Sequence, residues 1–335
     1  MESRKLLSAS GLIHAAISLG IFAGIAASLL GFLGDMHWTL DLFSHFRVQY
    51  MIGAAVLLIA AAILRKRRSA SIAAFGLLLN AGLVLPLYWG SPEDPSQDAA
   101  SLKVVYANVL TQNTGYAELL QWIEEEQPDV IALLEFSQEW KDALDPALSA
   151  WPHRQSRPRD DNFGIAVYSR FPLAGVTWPV LTPTGSTSLF ANIRWSDLEV
   201  PFMLVHPYPP IRRYSSATAR AQMGELVQRA EVSQDLALLV GDLNATPWSH
   251  SSRQLQATPL RSARLGFGVL PTWPANLPII FRIPIDTIQT GSRWQVQDLR
   301  VGPNFGSDHL PLVARLTPLA ADAESVADQP SGSTR

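Results

Sequence analysis

The chain has 335 residues, 47% of them hydrophobic and none of them cysteine, with a formal net charge of −3. The lack of thiols excludes disulfide frameworks, thiolate nucleophiles and Cys-ligated zinc or iron–sulfur centres, so any metal must use oxygen or imidazole ligands. Seven of the 26 basic and three of the 29 acidic residues precede residue 91, leaving 19 against 26 beyond it; that balance of −7 argues against a nonspecific nucleic-acid binder, whose phosphate contacts need Lys and Arg.

The apolar excess lies at the N-terminus. Residues 11–33 hold one imidazole, His14, and two serines in 23 residues, long enough to cross a hydrocarbon core that needs roughly 20. Residues 48–64 and 72–89 are shorter but almost uncharged, and the second ends in the interfacial pair Tyr88 and Trp89. Residues 1–90 are therefore expected to form a membrane domain of three transmembrane helices, with the lipid bilayer as its partner. Arg4 and Lys5 flank the first span, and Arg65, Lys66, Arg67 and Arg68 fill the link between the second and third. Retention of these cations inside puts the N-terminus in the cytoplasm and everything after residue 90 outside a plasma or inner membrane. A cleaved signal peptide is the competing reading; the length of the first apolar stretch and the spans that follow count against it. His14 and Asn80 read as interhelical hydrogen bonders rather than as chemistry.

Residues 91–101 read as a polar, Pro-containing linker and 318–335 as a small, polar, disordered tail. Between them, 102–317 opens as a βαβ unit: strand 102–109, helix 116–126 with Leu119, Leu120 and Ile123 on one side, strand 130–134. Strands are then predicted at 164–169, 188–195 and 200–205, a helix at 217–232, and strands at 236–240, 283–289, 294–301 and 309–316. "NLPIIFRIPI", 276–285, reads as a buried strand in preference to a loop against the membrane. The pattern is that of an α/β protein. Behind a three-helix transmembrane region it predicts a four-layer α/β sandwich, two face-to-face β-sheets flanked by helices.

Polar side chains fall where these strands end. Asn108 closes "KVVYAN", Glu135 closes "DVIALLE", His206 closes "FMLVH", and Asp242 with Asn244 follows "LALLV". Asp286 interrupts "IPIDTI", and Asp308 with His309 precedes "LPLVARL". Each alone reads as a turn or cap residue. Together they make a cluster of carboxylates, amides and imidazoles. Carboxylates sharing a site repel, so such a cluster calls for a divalent cation, and all-oxygen donors favour Mg²⁺ or Mn²⁺ over zinc. Imidazoles beside such a metal fit hydrolysis of a phosphate ester.

"NV" at Asn108, "PDVIALLE", "GIAVYSR", His206, "GDLN", "PID" and "GSDHLPL" together resemble the endonuclease/exonuclease/phosphatase superfamily, relatives of deoxyribonuclease I, over about 102–316. "HPYPP", Arg220 with Gln222, "GDLNATPWS" and "LPTWPA" look like its membrane-anchored YafD- and VanJ-like subgroup. Thr287 departs from the Tyr or His that often follows the aspartate of "PID". The resemblance implies Glu135 as the chief metal ligand, with Asn108 and Asp308 near a Mg²⁺ (or Mn²⁺) ion, and His206, Asp242, Asn244, Asp286 and His309 as catalytic residues. His206, Asn244 and Arg220 are the expected substrate contacts. The base is Asp242 or the Asp286–His309 pair, the pair being favoured because a carboxylate that fixes an imidazole tautomer is the usual arrangement. Arg212 and Arg213 read as solvated helix charges rather than a second phosphate clamp, Trp248 and Trp273 as core or pocket wall, and Asn113 as a site residue or a cap.

The expectation is thus an outward-facing, membrane-anchored, divalent-metal-dependent phosphatase or phosphodiesterase. Its substrate would be a phosphorylated lipid such as polyprenyl (pyro)phosphate. An extracytoplasmic nuclease is the first alternative, opposed by the acidic balance. The second is a non-catalytic lipid- or drug-binding resistance protein, opposed by the completeness of the motif set. No protein partner is implied.

Overall fold

A computed structural model describes residues 9–90, 100–183 and 185–319. Most of the expected linker, 91–99, and the tail from 320 onward lie outside the described residues. The N-terminal region comprises α1 (Ala9–Leu30), the short α2 (Trp38–Asp41), α3 (Arg47–Ile63) and α4 (Arg67–Val84). Three segments, Gly11–Leu33, Trp38–Ile63 and Arg67–Tyr88, are long and apolar enough to cross a membrane. Their outward side chains, Leu19, Phe22, Ile63 and Leu78 among them, are exposed and apolar, as expected of helices whose solvent is hydrocarbon. Polar groups inside the bundle pair with one another: Asn80 Nδ2 donates to Ser28 Oγ at 2.9 Å, and the buried Arg47 guanidinium donates to the Ser28 carbonyl at 2.7 Å. Asn80 therefore has the interhelical role expected of it.

The rest of the chain builds β1 (Leu102–Asn108), α5 (Tyr116–Glu126), β2 (Val130–Leu134), α6 (Gln138–Ala147), β3 (His153–Arg157), β4 (Ile165–Ser169), β5 (Leu173–Thr177) and β6 (Leu189–Trp195). It continues with β7 (Leu198–Val205), α7 (Arg213–Glu231), β8 (Leu238–Asp242), α8 (His250–Gln256), β9 (Arg261–Ser262), β10 (Asp286–Thr290), β11 (Trp294–Val301) and β12 (Leu312–Pro318). Two six-stranded mixed sheets result, in the orders β11-β12-β1-β2-β4-β3 and β5-β6-β7-β8-β10-β9.

Strand periodicity explains the layering. In β1, Leu102, Val104 and Tyr106 face the inter-sheet core, where they meet Phe202 and Leu204 of β7 and Leu238 and Val240 of β8. Val105 and Ala107 turn the other way, under Leu119 and Ile123 of α5 and Trp140 of α6. On the second sheet Met203, Val205 and Leu239 lie under Met223 and Leu226 of α7. Central strands are covered on both faces, which is why they read as unbroken apolar runs. The four-layer α/β architecture is the one expected.

Two expectations fail locally. Residues 279–281 form an exposed 3₁₀ turn and not a buried strand, because the Gln49 amide donates to the carbonyls of Ile280 and Arg282 at 3.0 and 3.1 Å and holds the turn against α3. Consequently β10 begins at Asp286; Ile283 is taken up instead by a bridge to Trp273.

Candidate active site

Topology brings the polar strand ends together. β1 and β2 run parallel, as do β7 and β8. β12 is antiparallel to β1, and β10 to β8. The C-terminal ends of β1, β2, β7 and β8 and the N-terminal ends of β10 and β12 therefore meet at one edge of the sandwich. A cavity of about 640 Å³ opens there, lined by Glu135, His206, Asp242, Asn244, Asp308 and His309, within the 300–1,000 Å³ usual for ligand sites.

Asp242 and Asp286 are direct partners across the β8–β10 ladder. Two carboxylates so placed repel, and two groups resolve the conflict. His309 Nδ1 lies 2.9 Å from Asp286 Oδ2, and the Tyr106 hydroxyl, reaching across from the other sheet, donates to Asp286 Oδ1 at 2.7 Å. Burial alone would raise the Asp286 carboxyl, but His309 and these hydrogen bonds hold it below the usual range. Burial opposes the His309 charge too, yet Asp286 overcomes it and carries the imidazolium up to about 10. Asp242, pushed up by burial and by Asp286, reaches about 8. Its Oδ2 sits 3.7 Å from Nε2 of both His309 and His206, and its Oδ1 accepts from the Asn244 amide N–H at 2.7 Å. Burial and the neighbouring His309 charge lower His206 to about 4, so it is neutral at physiological pH.

Glu135 stands at the end of β2 with a φ of +56°. A left-handed backbone at a non-glycine residue costs about 1–2 kcal/mol and is kept where it aims a functional group. The Asn108 amide donates to Glu135 Oε1 at 2.9 Å, and Asn108 Oδ1 accepts from the Leu110 N–H at 3.2 Å. Asn108 thus orients Glu135, its own oxygen already being engaged. Burial raises the Glu135 carboxyl despite that hydrogen bond. Trp273 Nε1 donates to Asp308 Oδ2 at 3.2 Å, which makes Trp273 a wall of the cavity rather than a core residue. Glu135 Oε2 and Asp308 Oδ1 are buried without a hydrogen-bond partner. Two hard oxygens left free in one cavity fit a divalent cation of the Mg²⁺ class. Asp242, Asp286 and His309 also bring ligand atoms within 4.8 Å of one another; the oxygens of Asp286 are already bound by His309 and Tyr106, so that trio is better suited to proton handling.

Arg220 does not join the site. Its guanidinium donates to the carbonyls of Asp35 and Gly34 at 3.0 and 3.2 Å and ties α7 to the N-terminal region in place of the expected phosphate contact. Its motif partner Gln222 holds the loop after His206, accepting from the Tyr208 N–H at 2.9 Å. Asn113 shapes the turn before α5, its Oδ1 accepting from the Gly115 N–H at 3.1 Å. Asn244 Nδ2 donates to the Pro207 carbonyl at 3.0 Å.

Tyr106 escaped the sequence reading because it alternates as an ordinary core residue of β1. Phe163 did too, although its ring lies 5.2 Å from that of His206 and 4.5 Å from that of Tyr208.

Immediately beyond Asn244 the chain docks on the N-terminal helices. The Thr246 N–H donates to His45 Nδ1 at 3.3 Å, Trp248 Nε1 to the Leu83 carbonyl at 2.9 Å and the His250 N–H to Asp41 Oδ1 at 2.8 Å.

Comparisons with known proteins agree with this geometry. The profile of the Endonuclease/Exonuclease/phosphatase family matches residues 105–309. A functionally unknown conserved protein from Enterococcus faecalis V583 superposes with a TM-score of 0.54 at 17% identity, covering 65% of this chain and 100% of that one. TDP2 from D. rerio complexed with single strand DNA product gives 0.55 at 15% identity, covering 65% and 99%. The human Nocturnin catalytic domain with bound sulfate anion gives 0.52 at 19% identity, covering 65% and 94%. No curated protein matches the chain.

Proposed function

The chain belongs to the endonuclease/exonuclease/phosphatase family, and from that premise we propose that it is a Mg²⁺- or Mn²⁺-dependent phosphohydrolase that acts on a phosphorylated lipid, such as a polyprenyl phosphate or pyrophosphate, at the outer face of the membrane. The family includes metal-dependent phosphodiesterases, phosphatases and nucleases. The observation that carries the lipid reading is the docking of membrane-length helices on the segment that directly follows Asp242 and Asn244. A site fixed to a membrane region meets headgroups at high local concentration. No Lys or Arg is among the described residues that line the cavity, and the balance of −7 after residue 90 disfavours DNA.

Glu135 and Asp308 would hold the cation, which would supply neutralisation of the phosphate's charge. Asn244 Oδ1, the half of its amide not bonded to Pro207, orients the attacking water with Asp242. In its ionised form, which burial and Asp286 shift to the alkaline side, Asp242 takes the proton of that water on Oδ2, the oxygen that faces both imidazoles. His309, kept charged by Asp286, donates from Nε2 to the oxygen where charge develops. This reading gives the role of base to Asp242 in preference to the Asp286–His309 pair. His206, neutral and 3.7 Å from Asp242, contributes a second donor.

The test is release of inorganic phosphate from polyprenyl pyrophosphate by purified full-length protein. Activity is expected with Mg²⁺, lost in EDTA, and reduced by about 10²–10⁴ in Glu135→Ala and Asp242→Ala. Unchanged turnover in either variant sinks the assignment, and cleavage of plasmid DNA in preference to lipid would install the nuclease reading.

A further inference from the structure

The cavity is not walled by the two-sheet region alone. Leu42, His45 and Phe46, from the turns just ahead of α3, line it together with Glu135, Asp242 and His309. Their placement is fixed. The Thr246 N–H occupies the lone pair of His45 Nδ1, which puts the imidazole hydrogen of neutral His45 on Nε2, and Trp248, Val84, Leu87 and Val269 bury an apolar contact behind it. A wall made by the N-terminal region is therefore hydrogen-bonded to the segment that follows Asp242 and Asn244.

The same wall is apolar and leads to the bilayer. Phe46 is 42% exposed and immediately precedes α3, within the membrane-length segment Trp38–Ile63; Ile211, from the loop after His206, is 62% exposed and lines the cavity as well. Beside them the turn Ile279–Phe281 presents three large apolar side chains to the outside, held to the first turn of α3 by Gln49. Leaving such side chains in water costs about 25 cal/mol per Å². Gln49 lies in the first turn of α3, so a bilayer crossed by that helix would meet these side chains at its interface. A phosphate and its ions would fill only the end of a cavity of about 640 Å³.

We propose that the membrane region supplies one wall of the substrate site: the hydrocarbon chain of an amphiphilic phosphate ester enters sideways from the bilayer past the Ile279–Phe281 turn and lies along Phe46 and Ile211, its phosphate at Asp242 and His309. This rests on the phosphohydrolase reading above and adds that chain recognition is shared between the N-terminal region, through Phe46, and a loop of the sandwich, through Ile211. Both are specificity residues of the chain site and take no part in the proton transfers.

Two experiments on the full-length protein in phosphatidylcholine vesicles test it. The first compares a long-chain prenyl phosphate with a short-chain, water-soluble prenyl phosphate in the wild type, Phe46→Ala and Ile211→Ala. Both variants are expected to lower the ratio of kcat/KM for the long-chain substrate to that for the short-chain one by roughly tenfold or more. Equal losses on both substrates, or no loss on either, overturn the proposal. The second needs no turnover: a long-chain alkyl phosphate with a terminal diazirine is photolysed with Asp242→Asn protein. Adducts are expected on 42–46 and 208–211; adducts confined to the outer surfaces of α1, α3 and α4 overturn it. Labelling of Asp242→Asn as expected, together with a wild type that hydrolyses neither phosphate, would fail the phosphohydrolase reading while leaving the chain site standing.

Discussion

Asp242 and Asp286 face each other on adjacent strands in a buried setting, an arrangement tolerable only because His309 and Tyr106 occupy the oxygens of Asp286. Replacing Asp286 by Asn removes the counter-charge of His309, and kcat is expected to drop by about 10²–10⁴ with little change in KM. The same pairing has a thermodynamic side. His309 is raised from 6.5 to about 10 in the folded protein, so its contribution to stability is complete below 6.5 and disappears as pH rises toward 10. Thermal unfolding of the metal-free protein in EDTA should therefore show a melting temperature that declines over that alkaline window, and Asp286→Asn should flatten the slope. An identical slope in the variant would mean that another group titrates. Asp286 and His309 were legible in the sequence because polar residues at strand ends stand out from apolar runs. Tyr106 was not, since its hydroxyl acquires a function only when the opposite sheet delivers a carboxylate.

At the level of elements, strands buried on both faces announced themselves, and β1, β2, β4, β7 and β11 lie close to their expected positions. Those that did not, β3, β5 and β9, are edge or near-edge strands with polar or small side chains, "HRQSR" being the extreme. α6 was hidden by Pro146 in its last turn and is signalled only by the Ser137 cap, whose Oγ accepts from the Trp140 N–H at 3.3 Å. Ionic contacts that join elements were equally invisible. Glu126 at the end of α5 binds Lys103 of β1 at 2.6 Å and, through both oxygens, Arg300 of β11 at 2.6 and 2.7 Å. Burial works against the Glu126 charge, but the two cations hold its carboxyl below its usual 4.5. A depressed carboxylate stabilises above that value and ceases to do so as pH falls through it. Glu126→Gln is expected to melt lower than wild type at neutral pH, with the difference closing below about 4.5; a gap that persists in acid would assign the loss to packing.

Across the whole molecule, the sequence separated a membrane region from an enzyme and left them joined by a linker, with no sign that they touch. Pairs such as His45 with Thr246 lie about 200 positions apart, and periodicity carries no information at that range. Motif residues "TPWS" read as part of the site's signature, whereas the structure uses Trp248 as the dock. Trp248→Ala removes a buried ring and its hydrogen bond to Leu83; a loss of about 3–5 kcal/mol in full-length stability is expected, measurable by denaturation in detergent. A loss near zero would show that the two regions are held apart in solution. The orientation inferred from the cations is checked by a topology reporter fused within the linker, active only if that segment lies outside.

Gln49 pins the turn at Ile280 and Arg282, and on the proposed lipid reading that contact would set the altitude of the cavity mouth relative to the lipid surface. An enzyme held at constant height samples a two-dimensional reservoir, so its rate should follow the mole fraction of substrate within the leaflet and not the amount per litre. Diluting the vesicles with buffer would then leave turnover per enzyme unchanged, whereas diluting the substrate with inert phosphatidylcholine at fixed total concentration would slow it.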